Sequence, residues 1–543
     1  MKLAHLKKIR VVVSLAFFIP ILYAFIDFRN VLPEKFINGL LYLQFGPSLI
    51  KFIAVVSVSV IGFLVVALLT LLFGRVYCSS ICPLGTLQDI TGFLSRKIKK
   101  RKKKKRKLFA YAKPLNWLRY SLLIITALVL IFSGAFMMNL LDPFSVFGRI
   151  SVNFLKPVYI AANNLAASLL MKLNFYWLYP VKTGSIHFGI LVYPAAMFGL
   201  IIWLSFNRGR LYCNTVCPVG TFLGILSRFS IFKISIDTDK CNSCGLCEWE
   251  CKAQCIDKNA MSVDHSRCVG CFNCLTVCNR NAAIYRLAYS KPSGVGGLKE
   301  EPAADLSKRS FVAGSAALIV TFLGFRTKSF AGSKTAGGIS PGHNITPAKA
   351  STVPEKKDLP VAPPGAGSIR RFNDTCTACH LCVSACPNHA LQPAFMQYGL
   401  IGFMQPHMDY HFGFCNFDCT ICMDICPSGA LLPMALEDKK LEQLGKAIFV
   451  KENCIVETEG ADCGACSEHC PTKAVNMVPY KNNTFIPSVD DSICIGCGAC
   501  EYACPTIPYK AIYVNGNAAH VKAEKPKLEK LDVEIDYEED FPF

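Results

Sequence analysis

Cys241-Asn242-Ser243-Cys244-Gly245-Leu246-Cys247-Glu248-Trp249-Glu250-Cys251 carries four cysteines in the spacing C-x2-C-x2-C-x3-C. The spacing has a physical reason. Three thiolates two residues apart wrap a tight loop around one [4Fe–4S] cube, and the fourth reaches a partner cube. The run, or a close relative, recurs at Cys268-Cys271-Cys274-Cys278, Cys376-Cys379-Cys382-Cys386, Cys415-Cys419-Cys422-Cys426 and Cys494-Cys497-Cys500-Cys504. A looser sixth set is Cys454 followed by Cys463-Cys466-Cys470. Pro follows the last cysteine at Pro387, Pro427, Pro471 and Pro505. One such run could be chance or a zinc site. Six sets, taking 24 of the 29 cysteines, predict six [4Fe–4S] clusters. A disulfide scaffold needs short domains with irregular spacing, and the regular period argues against it.

The 543 residues are enough for three or four domains, and 52% of them are hydrophobic. Apolar spans run over Val11–Phe28, Phe52–Phe73, Leu122–Met138 and Ile186–Phe206, each about long enough to cross a bilayer. A fifth, shorter one covers Phe311–Phe325. The net charge of +20 is uneven: Arg96 to Lys107 holds eleven basic residues in twelve. Between apolar spans this run marks a cytoplasmic loop by the positive-inside rule, touching anionic lipid, and not a nucleic-acid site. Lys2, Lys7, Lys8 and Arg10 hold the N-terminus inside as well. Residues 207–310 are then cytoplasmic, and the fifth span leads out. Ser307-Lys308-Arg309-Ser310-Phe311 before it resembles a twin-arginine export signal with Lys for the first Arg, or else an ordinary anchor with basic flanks.

The expected fold is a polytopic α-helical membrane domain, four spans plus a fifth linking span, with α+β ferredoxin-like [4Fe–4S] domains on both sides. Residues 1–235 form the four-helix membrane domain and 236–290 a cytoplasmic two-cluster domain. Residues 305–330 form the linking span with its signal-like anchor, and 331–368 a Gly/Ala/Pro/Thr/Lys-rich linker. Residues 369–520 form a periplasmic four-cluster domain, and 521–543 an acidic tail. That tail holds six acids between Asp532 and Asp540, a solvated segment or a docking site for a basic cytochrome.

The membrane part repeats itself. Gly74-Arg75-Val76-Tyr77-Cys78…Cys82-Pro83-Leu84-Gly85-Thr86 follows the second span, and Gly209-Arg210-Leu211-Tyr212-Cys213…Cys217-Pro218-Val219-Gly220-Thr221 follows the fourth. Each half is two spans ending in the same C-x3-C-P motif in the same orientation. The duplication would bring Cys78/Cys82 and Cys213/Cys217 together near the cytoplasmic face. As candidate redox thiols they hold a further metal or cluster, or cycle between dithiol and disulfide. The alternative is a structural turn at a helix end.

Small residues follow the fourth ligand where the chain packs on a cube: Ala282, Ala390, Ala430 and Ala474 each sit four residues after it. Cys255 holds that place after Cys251, as a replacement for the alanine or as a ligand instead of Cys251. Cys376-Thr377-Ala378-Cys379-His380 matches the haem attachment motif C-x-x-C-H, but Cys382 and Cys386-Pro387 complete the ferredoxin run. His187, at the outer start of the fourth span, is either a quinol proton acceptor or a solvated interfacial histidine. No Gly-rich nucleotide motif occurs, which argues against direct reaction with NADH. No catalytic triad or paired-carboxylate site stands out.

Residues 1 to about 290 resemble the membrane ferredoxin-type subunit of periplasmic nitrate-reductase systems (NapH type). The resemblance rests on the two G-R-x-[YF]-C-x3-C-P motifs, on Asp142-Pro143-Phe144-Ser145-Val146-Phe147-Gly148-Arg149, and on the two cytoplasmic cysteine runs. Residues 305 to about 515 resemble the exported partner subunit (NapG type, related to the methylamine-utilisation ferredoxin-type protein). Here Ser307–Phe311, Pro363-Pro364-Gly365-Ala366 and four cysteine sets in the family's order carry it. The chain thus resembles a fusion of two subunits. It departs from the pattern in the incomplete Arg pair and in the three-residue gap between Cys415 and Cys419. The resemblance implies a bacterial inner-membrane protein that oxidises quinol, quinol dehydrogenase-like, and passes electrons through the clusters to a periplasmic c-type cytochrome or reductase. A competing expectation is an assembly or maintenance factor supplying electrons for maturation of a periplasmic or membrane metalloenzyme.

Overall fold

The computed structural model describes residues 4–27, 29, 31–55, 61–101, 109–132, 134–181, 188–288 and 352–525. His187, the signal-like stretch 307–311, the expected fifth span 311–325, residues 102–107 of the polybasic run and the acidic tail lie outside the described residues. The chain divides into two compact units. Met1–Pro341, Gly365–His407 and Thr420–Pro433 form the first; Gly342–Pro364, Met408–Cys419 and Met434–Phe543 form the second.

The first unit is built on helices that follow the apolar runs. They are α1 (Ala4–Ile26), α2 (Glu34–Tyr42), α3 (Phe45–Ala54), α4 (Gly62–Phe73), α5 (Val76–Ser80), α6 (Pro83–Arg101), α7 (Asn116–Phe132), α8 (Phe136–Leu141), α9 (Pro143–Ile150), α10 (Lys156–Lys172), α11 (Phe188–Arg208), α12 (Leu211–Thr215) and α13 (Pro218–Ser227). Among the described residues, two stretches are long and apolar enough to cross a membrane, His5–Ile26 and Phe188–Arg208. The pair α2 and α3 passes the same test together but bends by 95°. The sequence leads one to expect single helices over 52–73 and 122–138, and here the structure differs. In place of the first, α3 ends at Ala54 and α4 begins at Gly62, with 56–60 outside the described residues. In the second, α7 stops at Phe132 and Gly134 takes φ +73°. The cause is a close approach: Ala135 donates to the Asp374 carbonyl at 3.1 Å, and a Cβ on Gly134 would lie 2.7 Å from the Asp374 Cα. Only glycine combines that conformation with that space.

The core of this unit is continuous and rich in phenylalanine. Phe18 packs on Phe147 at 5.6 Å between ring centroids, and Phe25 on Phe144 at 5.3 Å. The outer faces stay apolar: Val12 and Ile19 on α1, Leu68 on α4, Phe132 on α7 and Phe188, Val192 and Trp203 on α11 are all exposed. Exposed apolar surface on this scale marks an interaction face.

Four arginines, Arg75, Arg119, Arg149 and Arg210, are fully buried. Buried charge must be paired or hydrogen-bonded. Arg149 donates to the Asn139 side chain at 2.7 Å and to the Asn139 carbonyl at 2.5 Å. Asp89 on α6 gathers three cations: Arg10 at 2.9 Å, Arg210 at 2.9 Å and Lys252 at 3.1 Å. Burial alone would raise the Asp89 carboxyl; Arg210, Lys252 and Arg10 outweigh it and hold the group well below the usual carboxylate range.

The cysteine-bearing parts are made of small pieces. In the first unit β1 (Phe232–Ile236) pairs antiparallel with β4 (Ala283–Leu287), and β2 (Ile256–Asp257) with β3 (Ser262–Val263). In the second, Glu442–Phe449 pairs with Ile512–Lys522, and Val475–Pro479 with Phe485–Val489. Every sheet among the described residues has two strands, and they do not assemble into a complete ferredoxin fold.

The Asp89 cluster gives a test. Asp89→Asn leaves three buried cations without their shared carboxylate and should cost about 3–5 kcal/mol. The thermal unfolding midpoint in detergent should fall sharply, while Asp237→Asn, which breaks an exposed pair with Lys240, should leave it unchanged.

Candidate iron–sulfur centres

All six cysteine runs share one local device. The third cysteine is the second residue of a one-turn helix: Leu246–Trp249, Asn273–Val277, Leu381–Ala385, Ile421–Asp424, Ala465–Glu468 and Ala499–Ala503. The helix turns Cys247, Cys274, Cys382, Cys422, Cys466 and Cys500 toward their partners. In four runs the residue before the helix is left-handed: Gly245, Phe272, His380 and Gly498. His380 therefore serves the turn. Its ring lies 2.8 Å from the Met404 carbonyl, and burial, then Arg149, pushes it down to about 3. It is a neutral, buried ring.

The thiols gather with the fourth cysteine exchanged between neighbouring runs. Cys247 faces Cys241, Cys244 and Cys278. Cys274 faces Cys271, Cys268 and Cys251. Cys382 faces Cys379, Cys376 and Cys426. In the second unit Cys466 faces Cys504, Cys463 and Cys454, while Cys500 faces Cys497, Cys494 and Cys470. The run Cys415-Cys419-Cys422-Cys426 is divided: Cys415 and Cys419 belong to the second unit, Cys422 and Cys426 to the first, with Cys386.

These sites fit iron–sulfur cubes. Cys454, Cys463, Cys466 and Cys504 line one common pocket, and Cys251, Cys268, Cys271 and Cys274 line another. Burial pushes Cys466, Cys379 and Cys497 up to about 12 as free thiols. Such groups become thiolates only when a metal replaces the proton, so cluster binding and folding are coupled. Among the described residues no three cysteine sulfurs lie within 4.8 Å of one another. Four thiolates on one zinc ion would sit about 3.8 Å apart.

Cys255 lies at the second of these sites together with Cys251, their sulfurs 3.5 Å apart, and it also hydrogen-bonds Cys268. Those two hydrogen bonds, then burial, push the Cys255 thiol well above its ordinary range, and its single proton serves one of the two sulfurs at a time.

The repeated C-x3-C-P motifs also meet. In each half a one-turn helix carries the first cysteine, and the second precedes a proline-started helix. Cys82 and Cys217 both donate their N–H to the tyrosine carbonyl five residues earlier, Tyr77 and Tyr212, at 3.0 Å. Cys217 caps α13 with Pro218 at its first position, its sulfur accepting from the Gly220 N–H at 3.3 Å. Cys78, Cys82, Cys213 and Cys217 are all buried. The two motifs exchange arginines: Arg75 donates to the Cys213 carbonyl at 3.2 Å, and Arg210 to the Cys78 carbonyl. A Cβ on Gly85 or Gly220 would strike these same carbonyls, which accounts for glycine in both copies.

Sequence reasoning did not single out Arg75, Arg210, Asp89 or Lys156. The two arginines stand in the duplicated motif, so the repeat carried that signal; Asp89 and Lys156 carried none, since their roles depend on partners distant in sequence.

Residues 56–101 and 190–237 match a family model described as a 4Fe-4S binding domain. Residues 375–455 and 461–507 match one described as a 4Fe-4S dicluster domain. An uncharacterized protein of Methanocaldococcus jannaschii, MJ0749, is 27% identical over 256 residues, 46% of this chain and 82% of that protein. The methylamine utilization ferredoxin-type protein MauM of Methylophilus methylotrophus is 34% identical over 163 residues, 28% of this chain and 65% of that protein. The ferredoxin-type protein NapG of Escherichia coli is 32% identical over 185 residues, 31% of this chain and 72% of that protein. No solved structure matches. With iron–sulfur domain matches over the two C-x3-C-P segments and over 375–507, and with most of NapG covered, the chain belongs to the NapG family of ferredoxin-type proteins and is an iron–sulfur electron-transfer protein.

Proposed function

We propose that the protein is a quinol-linked electron conduit of the bacterial inner membrane. It takes electrons from membrane quinol and passes them singly through [4Fe–4S] clusters to a periplasmic c-type cytochrome or reductase. One observation carries the reading: cysteine sites lie at both ends of the same apolar helix, long enough to cross a membrane. At one end of α1, Arg10 shares Asp89 with Lys252, the neighbour of Cys251. At the other, the Phe25 carbonyl accepts from Ser384, between Cys382 and Cys386, at 2.6 Å. Fifteen helical residues separate Arg10 from Phe25, about 22 Å of rise.

The proposed topology has four spans, α1, α3 with α4, α7 and α11, plus the fifth at 311–325. It places 236–290 in the cytoplasm and 369–520 in the periplasm. All six sequence runs are assigned to clusters, with fourth ligands exchanged as in paired ferredoxin sites. A quinol gives up two protons with its two electrons. Asp142, in the turn between α8 and α9, is the group placed to take one. It is fully buried, one carboxyl oxygen caps α9 by accepting from the Ser145 N–H at 2.9 Å, and the other has no partner. Burial pushes it up to about 6 against the opposing hydrogen bonds from Ser145.

Reduced quinol added anaerobically to the purified chain should bleach its iron–sulfur absorbance at a rate compatible with respiration. Bleaching too slow for turnover would favour the maturation-factor reading. The wild-type rate should rise as pH climbs through about 6, where Asp142 loses its proton and becomes an acceptor. Asp142→Asn should keep the iron content and lose that rise.

Reporter fusions test the topology: fused after residue 110 and after residue 520, they should report opposite sides of the membrane. Reports from the same side would remove the transmembrane arrangement.

A further inference from the structure

We propose that Cys78, Cys82, Cys213 and Cys217 hold one additional [4Fe–4S] cluster, shared between the two repeat motifs. This seventh centre links the site of Cys251, Cys268, Cys271 and Cys274 with the site of Cys376, Cys379, Cys382 and Cys426. The binding site stands on geometry alone; its relay role rests on the electron-conduit reading above.

Four observations converge. First, neither motif can make the site alone. Each supplies two thiols, all four are 2–4% exposed, and they lie within electrostatic reach of one another: Cys82 faces Cys213 and Cys78, and Cys217 faces Cys213, Cys78 and Cys82. The exchanged arginine contacts lock the two halves in this register.

Second, the surroundings require an anion. Arg75 is fully buried, and its partners are Asn214 Oδ1 at 2.9 Å, the Ser266 carbonyl at 2.9 Å, the Cys213 carbonyl at 3.2 Å and Cys78 Sγ at 3.8 Å. None of these carries a fixed negative charge. Arg210 shares the single Asp89 carboxylate with Arg10 and Lys252. Arg75 and Lys252 also face Cys268 and Cys271 of the neighbouring site, so these four buried cations serve two cubes, each with a net charge of about −2 when oxidised and held by four thiolates. Gln88 Nε2, 3.3 Å from Cys213 Sγ, supplies a hydrogen bond of the kind that tunes cluster potential.

Third, the spacing disfavours a single zinc ion: all four are free thiols, and among the described residues no three cysteine sulfurs lie within 4.8 Å. A single zinc ion would draw them to about 3.8 Å, whereas a cube binds each thiolate on a separate iron.

Fourth, the site touches one neighbour directly and is linked to the other through α9. Asn214 donates to the Ala253 carbonyl at 3.2 Å and Arg210 to the Lys252 carbonyl at 2.9 Å, both beside Cys251. On the other side the Tyr212 hydroxyl donates to the Leu141 carbonyl at 3.1 Å, next to Asp142. Asp142 begins α9, where Gly148 lies directly against the Cys379 carbonyl and any Cβ would collide with it. The relay step is one electron in, reducing the cluster by one unit, and one electron out, restoring it. No atom is transferred.

Iron and acid-labile sulfide counted on the full chain, purified anaerobically, test the site. Six ferredoxin-type clusters give about 24 irons, and a seventh raises this to about 28. The double variant Cys78→Ser/Cys213→Ser should fall to about 24 and lose one component from the low-temperature paramagnetic spectrum of the reduced protein. About 24 irons in the wild type, or 24 irons with one zinc, would overturn the proposal without any variant having to fold. If the double variant keeps 24 irons and is bleached by quinol as completely and as fast as wild type, the relay role is overturned. About 28 irons in a wild type that quinol does not reduce would support the cluster site while removing the quinol reading.

Discussion

The thiolate–iron bond is what the cysteine-bearing parts of this protein are built around. Their sheets have two strands and many of their helices one turn, elements too small to be stable by themselves. Buried thiols such as Cys466 and Cys497, pushed up to about 12 by burial, point inward where a soluble domain would place leucine. Iron converts that liability into folding free energy. The alanines four residues after a fourth ligand, Ala390 and Ala474 among them, are fully buried because the chain closes tightly there.

The helical part works by a different rule. Its core is phenylalanine, and its outer faces remain apolar, so the scarce charges inside have defined partners. Arg149 is held by Asn139, Lys156 by the Ser384 carbonyl at 2.6 Å, and Asp89 by three cations. Several of these interactions tie the helices to a cysteine-bearing segment: Lys156 and Ser384, Lys252 and Asp89, Arg119 and the Ser266 hydroxyl at 3.2 Å. The buried polar network therefore positions the cluster sites against the bundle, which hydrophobic packing alone would not specify.

Much of this was legible in the sequence because iron–sulfur chemistry writes itself in spacing. The six runs, the duplicated motif and the C-x3-C-P pairs could be read residue by residue. The boundaries of the spans were less legible. The stretch 122–138 is apolar except for Thr126 and Ser133-Gly134; the Ser-Gly pair permits a break, but nothing in the sequence announces that Asp374 approaches Gly134. Cys255 could be narrowed to an alanine replacement or a ligand; its hydrogen bonds to both Cys251 and Cys268 depend on how two loops pack. Asp142 was visible as part of a motif, but its unpartnered oxygen is a property of burial, which a sequence does not display.

An electron conduit through a helix bundle makes one claim that no count of metal or assay of bleaching replaces: electrons cross. The direct measurement encloses a membrane-impermeant oxidant dye inside sealed vesicles carrying the full chain and adds an impermeant reductant outside. The account predicts reduction of the enclosed dye without any added quinone, at a rate proportional to the amount of protein. Dye reduction no faster than in protein-free vesicles would contradict it.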